Sequence, residues 1–266
     1  MKILPQAQKR QQRIAKILQI LQENHISTVP EIAQRLSMSP MTIRRDLSFL
    51  HEEKVVRMFH GGTVLNPDRA LNFSWEMSYL LSEQKNIMKA QKVRIGKKAA
   101  SLLEADDVVI MDAGSTTLAF ASEIPENIKL TVLCFSLSVL AELQRRKNCR
   151  LIITGGYYHD DTTMFESVEG LQLIKKIRAN KAFIAASGIS SSLGVTCTDA
   201  YQVENKKAAL GASQTKILLA DSSKFGKVQH AFFADLKDFN IIITDSAISA
   251  EYADIVKNLG IELIIV

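Results

Sequence analysis

Apolar side chains between residues 10 and 22 recur at Ile14, Ile17, Leu18 and Leu21, the spacing of one buried helix face. Residues 30–36 (PEIAQRL) predict a second, shorter helix that starts at Thr28 or Val29 and turns Ile32, Ala33 and Leu36 inward. Ser37-Met38-Ser39 breaks it, and Ser39 is suited to cap a third helix opening at Pro40, whose missing N–H costs nothing in a first turn. That helix runs to about Glu52 with Ile43, Leu47 and Leu50 on its buried side. Residues 54–65 (KVVRMFHGGTVL) then place β-branched residues around Gly61-Gly62, which predicts a small hairpin.

Further along, the pattern changes. Short apolar runs at 108–111, 130–135, 150–153, 182–186, 217–220, 241–244 and 261–266 alternate with helical stretches near 116–123, 137–147, 166–178, 201–213 and 249–259. Continuous apolar strands separated by helices predict an α/β body, a mostly parallel sheet covered on both faces. Residues 66–92 show no strand period; Pro67 and Asp68 mark a turn, the single tryptophan, Trp75, is expected to pack there, and a helix reads from about Ile87 to Leu103. The expected division is a helical head at 1–65, a linker at 66–92 and the body at 93–266.

Charge follows that division. Of 33 basic and 28 acidic residues, ten and five lie in 1–65, so the remainder balances at 23 of each and the whole formal charge of +5 belongs to the head. A basic head on a neutral body suggests a polyanion partner for the head alone, although a solvated basic surface gives the same count. No apolar run approaches membrane-spanning length, and the N-terminus lacks a secretory apolar core, so no membrane partner is expected. Cys134, Cys149 and Cys197 are scattered and odd in number, which fits buried thiols in a reducing cytoplasm.

Two helices joined by a three-residue turn describe a helix-turn-helix, and the following hairpin a wing. With Ile43 and Leu47 inward, Met41, Thr42, Arg44, Arg45 and Ser48 fall on the outer face just after Ser39, where such a helix reaches base edges in the major groove. Arginine pairs bidentately with guanine or neutralises phosphate, while Arg57 and His60 on the wing are placed for the DNA backbone. Three core-forming helices with a solvated arginine pair are the plainer alternative. Thr42–Leu47 (TIRRDL) and His60–Gly62 (HGG) resemble the distinctive motifs of the DeoR-family winged helix-turn-helix, a resemblance that spans residues 9–65 almost without gaps.

Small and polar residues gather after the predicted strands, at the sheet edge where α/β folds bind ligands. They are Asp112, Gly114, Ser115, Thr116 and Thr117; Ser136; Gly155 and Gly156; Ser187 and Gly188; and Lys224, with Glu204 nearby. Each loop alone is ordinary capping and turn chemistry. Five at one edge suit a small ligand bearing a phosphate and hydroxyls. No Gly-Lys-Ser/Thr phosphate loop and no Gly-x-Gly-x-x-Gly occurs, so no cofactor is indicated. His159, Asp160 and Asp161 read as a solvated loop rather than a metal site, because adjacent residues rarely point at one ion.

Asp112–Thr117, Gly155-Gly156, Asp221–Phe225 and Thr244-Asp245 resemble the DeoR-family sensor domain, which is similar in fold to sugar-phosphate isomerases. Cys134-Phe135 precede Ser136 where most members carry Thr-Asn, and Ser187 precedes Gly188 where Asp is common, which removes a candidate acid/base group. Cys134–Leu137, Gly194–Cys197, Ser222–Val228 and Tyr79–Lys85 resemble members that govern deoxyribonucleoside use. The resemblance implies a homo-oligomeric repressor of double-stranded operator DNA, not an enzyme, released by deoxyribose 5-phosphate. Two alternatives stay open: an activator, and an isomerase- or aldolase-like enzyme using Asp199 or Glu204 as acid/base.

Overall fold

Thr28 and Glu31 fix the start of the second helix by exchanging hydrogen bonds: the Thr28 hydroxyl accepts from the Glu31 N–H at 3.4 Å, and the Glu31 carboxylate from the Thr28 N–H at 2.7 Å. In this computed structural model, which describes residues 6–24, 26–52, 55–59, 62–66 and 88–266, the chain divides into units Met1–Met77 and Ser78–Val266. The first unit holds α1 (Gln6–Asn24), α2 (Val29–Arg35), α3 (Pro40–Glu52) and a hairpin of β1 (Val56–Phe59) and β2 (Gly62–Leu65). Ser39 caps α3, its hydroxyl accepting from the Thr42 N–H at 3.2 Å. Ile17, Leu18, Leu21, Ile32, Ile43, Leu47 and Leu50 close one core. Thr63 in the hairpin exchanges backbone hydrogen bonds with Ser27 at 2.8 and 3.1 Å, which fastens the wing to the α1–α2 loop.

The second unit runs α4 (Lys89–Ala100), β3 (Val108–Met111), α5 (Ser115–Glu123), β4 (Leu130–Cys134), α6 (Leu137–Leu143), β5 (Cys149–Ile153), β6 (Tyr157–His159), β7 (Met164–Glu166) and α7 (Val168–Lys176). It continues with β8 (Ala179–Ala185), β9 (Gly188–Ser190), β10 (Gly194–Cys197), α8 (Val203–Gly211), β11 (Ser213–Leu219), β12 (Ala231–Ala234), β13 (Ile241–Thr244), α9 (Ala250–Asn258) and β14 (Glu262–Ile265). Seven strands form a parallel sheet ordered β14-β13-β11-β8-β3-β4-β5. Ile95, Phe120, Val139 and Leu143 pack on one face, and Ile174, Ala208, Ala209 and Val256 on the other. The α/β body with a winged helix-turn-helix is therefore as the patterning predicted.

Several details differ. β8 and β11 begin earlier than their apolar runs, because Asn180, Lys181, Thr215 and Lys216 continue the ladder as polar residues. α6 stops at Leu143, and beyond it Arg146 donates to the carbonyls of Ile124, Ala121 and Ser122. A three-stranded antiparallel sheet (β12-β10-β9) and the β6–β7 hairpin were not predicted: strands of three or four residues are too short to show a period. α4 runs through position 93, where the body was expected to begin, and Trp75 lies outside the described residues. Among the described residues no helix is long and apolar enough to cross a membrane.

Candidate functional site

On α3, Met41 is 66% exposed, and Arg44, Arg45 and Ser48 also face solvent, while Ile43, Asp46, Leu47 and Leu50 are buried. The hydroxyls of Ser39 and Thr42 lie 2.8 Å apart, engaged with each other. Arg57 is exposed on β1; His60 lies outside the described residues. Asp46 was missed as a site-shaping group. Its carboxylate accepts from Nε of Arg13 at 2.5 Å and from Nε of Arg10 at 3.1 Å, and the Arg10 guanidinium sits 4.7 Å from the Phe49 ring. Two of the ten head cations therefore serve the interior, and Arg35 pairs with Glu23 at 2.5 Å. Among the described head cations outside these pairs, Lys16, Arg44, Arg45 and Arg57 face solvent.

In the body the chain passes outward from β3 to β4 and β5, then crosses to β8 on the other flank of β3. This reversal opens a crevice at the carboxyl ends of β3 and β8. Asp112 fills it, fully buried: Oδ1 accepts from the Ala113 N–H at 2.7 Å, and Oδ2 from the Ala185 N–H at 2.8 Å and from the Lys206 ammonium. Lys206 also donates to the Ala185 carbonyl at 3.0 Å and lies 5.1 Å from the Phe233 ring. Burial pushes the Asp112 carboxyl above its ordinary value, against the pull of Lys206 and the two backbone donors. Lys206 was missed and Glu204 chosen instead. Two positions apart on α8 the side chains point about 200° apart, so Glu204 faces outward, 3.7 Å from the Lys207 ammonium. There it lines a shallow hollow of about 280 Å³ with Lys175 and Arg178, away from the strand ends. Asp199 accepts from the Gln202 amide at 3.2 Å.

Gly114 (φ +149°) precedes α5 and abuts Ala185: a Cβ there would lie 3.1 Å from the Ala185 Cβ. Among the described residues no side chain caps α5, so the first-turn N–H groups of Ser115, Thr116 and Thr117 have no helical acceptor. The Thr117 hydroxyl donates to the Gly114 carbonyl at 2.9 Å. Ser136 is buried; it caps α6 and shares hydrogen bonds with Ser138 at 3.0 Å and Thr163 at 3.4 Å, so its oxygen joins the hairpin turn to the sheet. Gly155 and Gly156 follow β5 with φ of +64° and +113°; a Cβ on Gly156 would stand 2.3 Å from the Glu166 carbonyl. The Ser187 N–H donates to the Thr196 carbonyl at 3.0 Å, and Gly188 is enclosed by Lys227 and Thr196.

The turn after β11 carries Lys224, half-buried, whose pKa burial lowers while Asp221 opposes the shift. Asp221 is fully buried; Oδ1 accepts from the Ser223 N–H at 3.1 Å, and Oδ2 stands 3.8 Å from the Lys92 ammonium. Asp245, after β13, accepts from the Ser222 N–H at 2.7 Å. Asp112, Ser187, Asp221 and Asp245 thus follow adjacent strands along one edge. His159, expected in a solvated loop, is instead packed: it stacks on Tyr201 with centroids 3.6 Å apart and meets Glu166 at 2.9 Å.

A basic winged helix-turn-helix joined to a parallel α/β body with polar loops and an uncapped helix start at its strand ends has the construction of a DNA-binding protein with a sensor domain. Residues 13–69 match the DeoR-like helix-turn-helix domain and residues 87–246 the DeoR C-terminal sensor domain, and the chain belongs to the DeoR family. It is 34% identical over 255 residues to the deoxyribose operon repressor of Escherichia coli (strain K12), covering 96% of this chain and 98% of that one. It is 32% identical over 240 residues to the HTH-type transcriptional regulator GolR of Listeria innocua serovar 6a, covering 90% and 91%. Among solved structures, ribose 5-phosphate isomerase A from Methanocaldococcus jannaschii overlaps 52% of this chain and 55% of its own, with 14% identity and a TM-score of 0.38.

Proposed function

We propose that this protein is a cytoplasmic, homo-oligomeric transcriptional repressor that holds double-stranded operator DNA through α3 and the wing. Deoxyribose 5-phosphate, bound at the strand ends of the body, releases it. The observation that carries the reading is likeness through both units at once to a repressor of a deoxyribose operon. The charge arrangement supports it: exposed Arg44 and Arg45 suit a DNA groove, and the uncapped start of α5 with Lys224 suits a phosphate. Release requires that the sugar phosphate bind the DNA-free arrangement more tightly than the DNA-bound one.

Binding without turnover fits the carboxylates. Asp112 is tied by an ammonium and two N–H groups, and Glu204 faces away, so neither is placed as a general base for an isomerase. A thermal-shift panel tests the reading. Deoxyribose 5-phosphate should raise the melting temperature well above the effect of deoxyribose or inorganic phosphate, and should be recovered unchanged after incubation. A flat response across phosphorylated sugars rejects the effector, and turnover rejects the repressor-only reading.

A further inference from the structure

Among the described residues, Tyr157 at 71% and Val168 at 68% are the two most exposed large hydrophobic side chains. Both stand at one end of α7. Tyr157 pairs with Glu166 on the β6–β7 ladder, and Val168 opens α7 two positions after Glu166. Gly156 lets the two segments touch, since a Cβ there would lie 2.5 Å from the Ser167 Cβ. The His159 ring meets Tyr157 edge-to-face at 4.9 Å and stacks in turn on Tyr201. A braced aromatic ring left in solvent is the kind of side chain that anchors protein interfaces.

α7 carries the second observation. Its helical phase puts Val168, Glu169, Lys175 and Lys176 all within about 60° of Gln172, with Gly170 and Ile174 about 160° away. Those four and Gln172 are exposed, while Gly170 and Ile174 are buried. The outer stripe is apolar and acidic at its start, neutral at Gln172 and basic at its end. The helix dipole alone favours that order of charge, but not two large apolar side chains left bare at the acidic end. A second α7 laid antiparallel across a two-fold axis at Gln172 matches the stripe to itself. Glu169 then faces the partner's Lys175, Val168 lies along the methylene stem of the partner's Lys176, and both contacts occur twice. A parallel copy would set Glu169 against the partner's Glu169.

We propose that the outer stripe of α7, together with Tyr157, is an isologous interface with a second copy of this chain. Tyr157 supplies its apolar anchor, and the Glu169–Lys175 pairs set its antiparallel register. The inference rests on the homo-oligomeric reading above and gives that reading a surface.

The test is sedimentation velocity of the full chain across a range of concentrations, in the wild type, Glu169→Lys, Lys175→Glu, Tyr157→Ser and the double variant Glu169→Lys/Lys175→Glu. Each single charge variant sets like charges against each other across the axis and should weaken self-association about tenfold or more. The double variant should associate like the wild type. So should an equimolar mixture of the two single charge variants, because one copy then presents only cations and the other only carboxylates. Tyr157→Ser should weaken association likewise. Any of the three single variants that melts cooperatively yet self-associates like the wild type overturns the interface, as does a mixture that stays dissociated; each result leaves the homo-oligomeric reading standing. A wild type that stays monomeric overturns both.

Discussion

The carboxylate of Asp46 accepts a 2.5 Å hydrogen bond from Arg13 and so ties the middle of α3 to α1 from within the head. Asp46 occupies the same buried face as Ile43, Leu47 and Leu50, so the ion pair sets how far α3 can rotate. Arg44 and Arg45, the two residues just before Asp46 on the helix, are held outward as a result.

Removing that anchor is expected to cost stability. Asp46→Ala leaves Arg13, which is 19% exposed, without its partner, and should destabilise the head by about 2–4 kcal/mol, on the scale of breaking a buried pair. Urea unfolding of the full chain, followed by circular dichroism, measures this; a loss under about 0.5 kcal/mol would show the pair to be idle.

Arg44→Ala and Arg45→Ala should each weaken operator binding by about 1–3 kcal/mol, the worth of a bidentate base contact. Sugar-phosphate affinity should stay within twofold, because these side chains belong to the other unit. Mobility shifts beside calorimetry give both numbers. Unaltered operator affinity in both variants would take α3 out of the major groove.

Lys224→Ala should raise the deoxyribose 5-phosphate concentration needed for operator release at least tenfold, giving a poorly inducible repressor. Reporter induction in cells reads this, and normal induction would remove Lys224 from the site.

Stability should depend on pH through Lys92. Its pKa in the folded protein is lowered to about 8 from an ordinary value of 10.5, so in the interval between them the unfolded chain holds a proton that the folded chain has lost. The Lys92 contribution to stability therefore rises with pH across that window and is flat below it. Lys92→Met should be stabilised relative to wild type near pH 7, and that advantage should shrink towards pH 10. A difference that is constant with pH would place the ammonium in water.

The head was legible because its signals are local: apolar spacing at Ile17, Leu18 and Leu21, and caps at Thr28 and Ser39, act within a few residues. The strand-end row was legible for the same reason, since apolar runs end where polar loops begin. Three buried charges were not. Asp46, Lys92 and Lys206 sit on inward helix faces where spacing leads one to expect apolar residues, and their partners lie 33 to 129 positions away. The interrupted spacing at Lys92, between residues leading to Ile95 and Ala99, was the available sign. Glu204 was chosen as an acid/base candidate near the strand ends, whereas helix phase turns Lys206 inward and Glu204 out.

The most direct test follows a fluorescent operator duplex, first selected from a random library with the full chain, by anisotropy as deoxyribose 5-phosphate is added. The account predicts tight binding without the sugar phosphate, dissociation as it is added, and no response to deoxyribose. DNA that stays bound at saturating, calorimetrically verified occupancy would contradict it.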